Sequence, residues 1–345
     1  MLFLEKIKKN KKLHYTLKCI KHINNQEYVD FFLNRETDPL LLEFKSNGEK
    51  CSSKRFYHIS EVGKGYGFFA EFHAILSRLA FADTFEFTPI ISWGKDFLYY
   101  DPEKREENPN AFEWFFEQPT EYRIKNLESA NLVVEAKLVQ AVWIEKKFHK
   151  QMDLSPEYEA EMVRIYQKYI RFKSEIHKKL NEEKSRLLGT KRTLGVHYRG
   201  TDFKLNYDNH PVSVQIEQEF VVVDKALKEY NYEQIFLATD ETKAVEKFRE
   251  RYGNRVVWYQ DVFRGEGNTS VAFSESNRSC HKYRLAYEVI RDAFTLSMCQ
   301  GFIAGVSQVS ICTRIMKKSR NEQYDFLRII DNGKNYNEKK FAKCL

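Results

Sequence analysis

The residues best suited to chemistry fall in three places. The first is the turn after the apolar run Leu194–Val196, where His197, Arg199, Thr201 and Asp202 crowd together. Four polar side chains cannot all be buried there cheaply. Arginine offers a planar fork that matches phosphate oxygens two at a time. A solvated turn carrying an Arg–Asp pair is the plainer alternative. The second is Asp292, which shares a helical face with Leu285, Val289, Leu296 and Cys299. A carboxylate out of pattern there can accept N1–H and N2–H of a guanine together, or it can simply sit at the rim of a packed face. The third is Gly305-Val-Ser307-Gln308-Val309. Here a strand runs into a helix, and free N–H groups at such a start can take a phosphate. Ordinary helix capping accounts for Ser307 equally well.

The elements that must position these residues follow from periodicity. Strand 193–198 leads to helix 213–229, strand 234–238, helix 242–251 and strand 255–259. A polar loop, 261–280, precedes helix 282–298, strand 302–304, helix 308–317 and strand 325–330. This alternation predicts a doubly wound parallel sheet. In such sheets ligands bind beyond the carboxyl ends of the strands, where residues 199–202 and 305–309 fall.

In the N-terminal half, residues 56–60 read as a strand. The loop Val62-Gly-Lys-Gly65-Tyr-Gly67 follows, and then Phe68, Phe72, Ile75, Leu76 and Leu79 mark one face of a helix. Strand, glycine loop and helix is an arrangement that can cradle a phosphate, though glycines also serve plain tight turns. The loop lacks the Lys-Ser/Thr of a P-loop, so ATP hydrolysis of that type is unsupported. Residues 88–93 read as a second strand. Residues 95–123 are aromatic and irregular, suited to stacking on sugar rings or to core packing. Ser155-Pro156-Glu157 opens one long helix reaching about Leu187.

Composition narrows the class. The 345 residues are 42% hydrophobic and 15% aromatic, enough for two domains sharing a cleft. The six cysteines show neither a CxxC pair nor histidines at ligand spacing, which argues against a zinc site and fits a reducing compartment. No apolar run approaches the roughly 20 residues that span a bilayer. Residues 1–30 carry seven lysines between Leu2, Leu4, Ile7, Leu13, Leu17 and Ile20. Such a helix can rest on an anionic membrane or pack on its own domain. The net charge of +7 suits an acidic ligand or a mildly basic surface. It is not gathered outside residues 1–21, and no nucleic-acid motif is present, so no nucleic-acid partner is expected.

In order and spacing, several segments resemble the α1,6-fucosyltransferases of the core and nodulation-factor type. They are Val196-His-Tyr-Arg-Gly-Thr-Asp202, His210-Pro, Phe236-Leu-Ala-Thr-Asp240-Glu241, Asp292-x-x-x-Leu-Ser and Ser307-Gln-Val. The resemblance is good over 190–316, patchy over 56–95 and absent from 1–50. It implies a GT-B-like fold, two Rossmann-type α/β domains facing across a cleft. The expected division is a basic, mainly helical extension at 1–50, an acceptor-side domain at 51–188 and a GDP-sugar domain at 189–345.

It also implies transfer of L-fucose from GDP-β-L-fucose to a glycan hydroxyl, with inversion and without metal or other cofactor. The chain carries no Asp-x-Asp metal motif. By the resemblance, Arg199 holds the β-phosphate, while His197 and Asp292 meet the guanosine. Ser307, Gln308 and Val309, with backbone of Gly65 and Gly67, surround the diphosphate and fucose, and Asp240 and Glu241 lie beside the nucleoside. The chain has Gly200 where the family often has a second arginine. No acid stands at the family's position before the His-Pro; Asp208 is the nearest candidate base, and Asp202 the reserve. GDP-mannose as donor, or a non-catalytic GDP- or glycan-binding role, remain alternatives. The expected location is the cytoplasm, either free or peripheral to the inner face of the membrane.

Overall fold

A computed structural model describes residues 42–63, 65–136, 153–201, 205–267 and 270–338, with a few isolated positions before residue 25. The chain is α/β, with a mixed sheet in the N-terminal half and an all-parallel sheet in the C-terminal half. In the C-terminal half, β5 (Thr193–Tyr198), β6 (Gln234–Thr239), β7 (Val256–Val257), β8 (Gly301–Gly305) and β9 (Phe326–Ile330) are all parallel, in the order β7-β6-β5-β8-β9. Counted within this half, that is 3-2-1-4-5, the order of a dinucleotide-binding sheet, whose crevice opens where the order reverses between β5 and β8. β5 and β6 are buried at every position, as strands covered on both faces must be.

In the N-terminal half, β2 (Phe56–Ile59) pairs in parallel with β3 (Thr88–Ile91) and with β4 (Val133–Ala136), and β1 (Leu42–Lys45) is an antiparallel edge on β4. Neither β1 nor β4 was expected from the sequence. The pairing draws residues 42–45 into the N-terminal sheet, ahead of the expected boundary at 50. The greater part of residues 1–50 lies outside the described residues.

The principal helices are α1 (Phe68–Thr84), α2 (Pro156–Tyr169), α3 (Ser174–Leu188), α4 (Ile216–Glu229), α5 (Thr242–Tyr252), α6 (His281–Met298) and α7 (Gln308–Ser319). The single helix expected over 155–187 is two. Glu117 N donates to Arg171 O at 2.9 Å and Lys173 N to Phe115 O at 3.0 Å, so this backbone pairs with the aromatic segment instead of continuing the helix. Phe172 stacks on Phe116 with ring centroids 4.9 Å apart, which rewards the break.

The two halves share one core besides their own. One cluster joins Tyr57, Phe72, Leu76 and Trp93 of the N-terminal half to Leu285, Ile290, Ile311 and Ile315 of the other. Helix α1 is buried almost all round because it lies between its own sheet and α7, and α2 packs on both. A second core fills one face of the C-terminal sheet with Leu194, Val196, Val223, Ile235 and Phe248. On the other face α6 approaches β5 closely. A Cβ on Gly195 would meet Leu296 Cδ2 at 3.0 Å and Cys299 Sγ at 3.3 Å, so glycine is what this contact admits.

Candidate active site

The cleft opens at the carboxyl edge of the C-terminal sheet, with about 620 Å³ of free space including its mouth. His197, Arg199, Thr239 and Asp240 line it from β5 and β6; Leu285, Glu288, Val289 and Asp292 do so from α6, and Val309 from α7. Tyr99 closes it from the N-terminal half, and Val262, Phe263 and residues 270–272 roof it. Five of the expected residues, spread from His197 to Val309 in the chain, thus share one small-molecule-sized cavity.

Arg199 is set by its neighbours. The Asp240 carboxylate accepts from Gly200 N at 2.9 Å and from Thr201 Oγ1 at 2.7 Å, and lies 3.4 Å from Arg199 Nε. Burial pushes this carboxyl up, but Arg199, the Gly200 N–H and the Thr201 hydroxyl outweigh it and hold it below its ordinary value. Asp240 is therefore an anion that orients the 199–201 turn. The same burial, then the Arg199 charge, push His197 well below its usual range, so the ring is neutral. Its buried Nδ1 has no hydrogen-bond partner among the described residues, an acceptor or donor left open in the cleft.

Asp292 has the opposite character. Half-buried on α6, it makes no hydrogen bond or ion pair among the described residues. Burial raises its carboxyl to about 7; Arg291 and Arg264 pull it down, and Glu288 and Asp261 add to the rise. Arg291 is committed elsewhere, to Asp261 at 2.7 Å and Glu183 at 3.1 Å, with its guanidinium 3.9 Å over Tyr259. An unpaired carboxyl facing a cavity is poised to receive donors from a ligand.

Glu288, one turn before Asp292, went unnoticed in the sequence although the i, i+4 spacing was there to find it. It accepts from Phe263 N at 3.1 Å and is gripped by both terminal nitrogens of Arg278, fixing the roof. Phe263 is held in turn by the Arg278 guanidinium at 5.1 Å and by His281. Tyr99 was expected only as one of an aromatic group.

The other expected residues stand at different distances from the cleft. Ser307 caps α7 through Ser310 N at 3.1 Å, the ordinary capping role, and Gln308 begins that helix. Glu241 is buried and does not line the cavity. It fills the space above Gly200, where a Cβ would come within 2.7 Å of the Glu241 Cβ. Gly67 begins α1, and a Cβ there would lie 4.0 Å from Tyr99 Oη; neither it nor Gly65 lines the cavity. Their loop is fixed by buried Glu71, whose carboxylate accepts from Val62 N at 2.8 Å and Gly63 N at 2.8 Å. Asp208 does not line the cavity either: it accepts from Asn209 Nδ2 at 2.9 Å and Asn337 N at 3.2 Å. Asp202 lies outside the described residues.

No protein-family profile matches the chain, and no curated protein matches it. Among solved structures it is similar to a NodZ α-1,6-fucosyltransferase soaked with GDP-fucose. The TM-score is 0.46 at 18% identity, covering 76% of this chain and 92% of that one. It is also similar to POFUT1 in complex with GDP-fucose, at TM-score 0.46 and 11% identity over 81% and 99% of the two chains. NodZ from Bradyrhizobium gives 0.42 at 17% identity over 76% and 92%. All three scores fall below 0.5, and the chemistry of the cleft rests on this chain's own residues.

Proposed function

We propose that the chain transfers L-fucose from GDP-β-L-fucose to a hydroxyl of a glycan, with inversion and without a metal. One observation carries this reading. The residues of the ordered motif set, His197, Arg199, Asp240, Asp292 and Val309, line a single cleft at the switch point of a 3-2-1-4-5 sheet. In this reading Asp292 accepts the guanine edge beside neutral His197. Arg199, braced by Asp240, meets the charge that gathers on the β-phosphate as the sugar–oxygen bond breaks. A fixed guanidinium there is worth more in the transition state than in the ground state, the role a divalent ion plays elsewhere. The proton of the attacking hydroxyl passes to a carboxylate. Asp202, three residues past Arg199, is the candidate we keep ahead of Asp208, which Asn337 and Asn209 engage. The glycan enters over the N-terminal half, past Tyr99.

The test is a donor panel with and without acceptors on a glycan array. Transfer or hydrolysis of GDP-fucose in preference to GDP-mannose, undiminished in EDTA, is the expected result. Preference for GDP-mannose overturns the choice of sugar. Tight GDP binding with no turnover on any glycan overturns the enzyme reading. Loss of turnover in chelator, restored by Mn²⁺ or Mg²⁺, overturns the metal-free mechanism.

A further inference from the structure

Two further cavities lie beyond the wall of the donor cleft. Glu288 lines both the cleft and the first of them, and its ion pair with Arg278 forms the partition. The first lies between α3, α6 and Lys104 of the N-terminal half, with about 820 Å³ of free space including its mouth. The second, about 680 Å³ on the same measure, lies between α3 and residues 258–261, which follow β7. Glu183, Asp261 and Arg291 line both, so the two adjoin along one groove. Helical spacing puts Lys179, Glu183 and Arg186 of α3 on one face, and Arg284, Tyr287 and Arg291 of α6 on the other wall.

The middle of the groove is closed on itself. Arg291 donates to Asp261 Oδ1 at 2.7 Å and to Glu183 Oε2 at 3.1 Å, and the Tyr287 hydroxyl donates to Glu183 Oε2 at 3.0 Å. Its ends are open. In the first cavity the Arg284 guanidinium and the Tyr283 hydroxyl make no hydrogen bond or ion pair among the described residues. The same holds in the second for the Arg186 guanidinium, the Gln260 amide and the Trp258 indole N–H. A bare anion fits this arrangement poorly. Lys104 is paired with Glu107 at 2.7 Å and Lys179 lies 4.2 Å over the Tyr287 ring, while Arg284 and Arg186 stand in different cavities. A sugar fits well. Its hydroxyls both donate and accept, and guanidinium, amide, carboxylate, phenol and indole groups supply the matching partners. Tyr283 and Trp258 add an amphipathic ring to each cavity.

We propose that the groove between α3 and α6 is a second oligosaccharide site, which grips sugar units of a glycan away from the hydroxyl that reacts in the donor cleft. The inference builds on the glycan-acceptor part of the reading above. Two adjoining cavities suit linked sugars, so affinity should rise with chain length.

The test is binding of GDP-saturated protein to an array of neutral glycans of one to six sugar units, with GDP affinity and melting temperature alongside. Wild type should retain the longer glycans best. Trp258→Ala and the double variant Arg186→Ser/Arg284→Ser should each lose about tenfold in affinity for them, with GDP affinity within twofold of wild type. The double change lies at exposed positions, so it probes the groove even where Trp258→Ala lowers the melting temperature. Long-glycan affinity within twofold of wild type in both variants overturns the inference, as does an equal loss of GDP affinity in the double variant. A wild type that transfers fucose to short acceptors yet retains long glycans no better than short ones overturns this inference alone. Long glycans bound by wild type and lost in the variants, with no transfer to any acceptor, uphold the groove and overturn the transferase reading.

Discussion

Asp292→Asn, followed as a function of pH, separates a ligand-receiving carboxyl from a packing residue. The wild-type carboxyl is raised to about 7 by burial and has no partner among the described residues, so at pH 8 it is mostly ionised and at pH 6 mostly protonated. If the nucleobase donates to the ionised form, affinity falls about tenfold from pH 8 to pH 6, some 1.4 kcal/mol. His197, held below its ordinary value, stays neutral in this window and contributes no slope. Asparagine removes the charge and with it about 1.5–3 kcal/mol at pH 8, the worth of a charge-assisted contact. The pH dependence should go too. The assay is GDP titration at pH 6, 7 and 8 for both proteins; the ligand's own phosphate titration is common to the two and cancels in their difference. Stability runs the other way. A carboxyl raised above its unfolded value near 4 binds extra protons in the folded state between about pH 4 and 7, so its contribution is present below that window and is lost as pH rises through it. Asp292→Asn should therefore melt higher than wild type at pH 8. Parallel pH curves for the two proteins, with unchanged GDP affinity, would refute the reasoning and leave Asp292 as a residue at the rim of a packed face.

Arg199→Ala should lower kcat by about 10²–10³ with donor KM changed far less, and Arg199→Lys should recover little because it lacks the planar fork. A variant turning over within a few-fold of wild type removes Arg199 from the reaction. Asp208→Asn should keep kcat within a few-fold, because that carboxylate is engaged by Asn209 and Asn337; a hundredfold loss would return the base to Asp208. Gly200→Ala places a methyl against the Glu241 side chain and should destabilise by about 1–3 kcal/mol, read by thermal melting. Adding Glu241→Ala should recover part of it, and a melting temperature unmoved by the first change would show that Glu241 yields freely. Deleting residues 1–30 should abolish co-sedimentation with anionic vesicles if the lysine-rich segment, with Leu13, Leu17 and Ile20 exposed on it, rests on membranes; equal sedimentation of both proteins refutes that contact.

The sequence by itself determined the elements whose signal is local. The strands and helices of 193–330 appear near where alternation and helical spacing put them, though the strand expected over 255–259 is only Val256–Val257, and with them comes the parallel sheet. The turn at 199, the cap at Ser307 and the out-of-pattern Asp292 were each visible because one residue broke a pattern its neighbours set. Tertiary structure decided what depends on distant partners. Strands β1 and β4 were not read from the sequence, and they pair with each other across some ninety residues. The helix expected over 155–187 broke because Phe116 offered Phe172 a better contact than another turn of helix would have. One core spans both halves because α1, α2 and α7 bury against each other as well as against their own sheets. Asp240 and Glu241, adjacent in the chain, went to different tasks. One braces an arginine at the cleft wall and the other fills the space over a glycine, because successive residues at a strand end point to opposite sides. Whether a carboxylate meets solvent, a guanidinium or nothing is set by what folds against it, and no spacing rule in the chain carries that information.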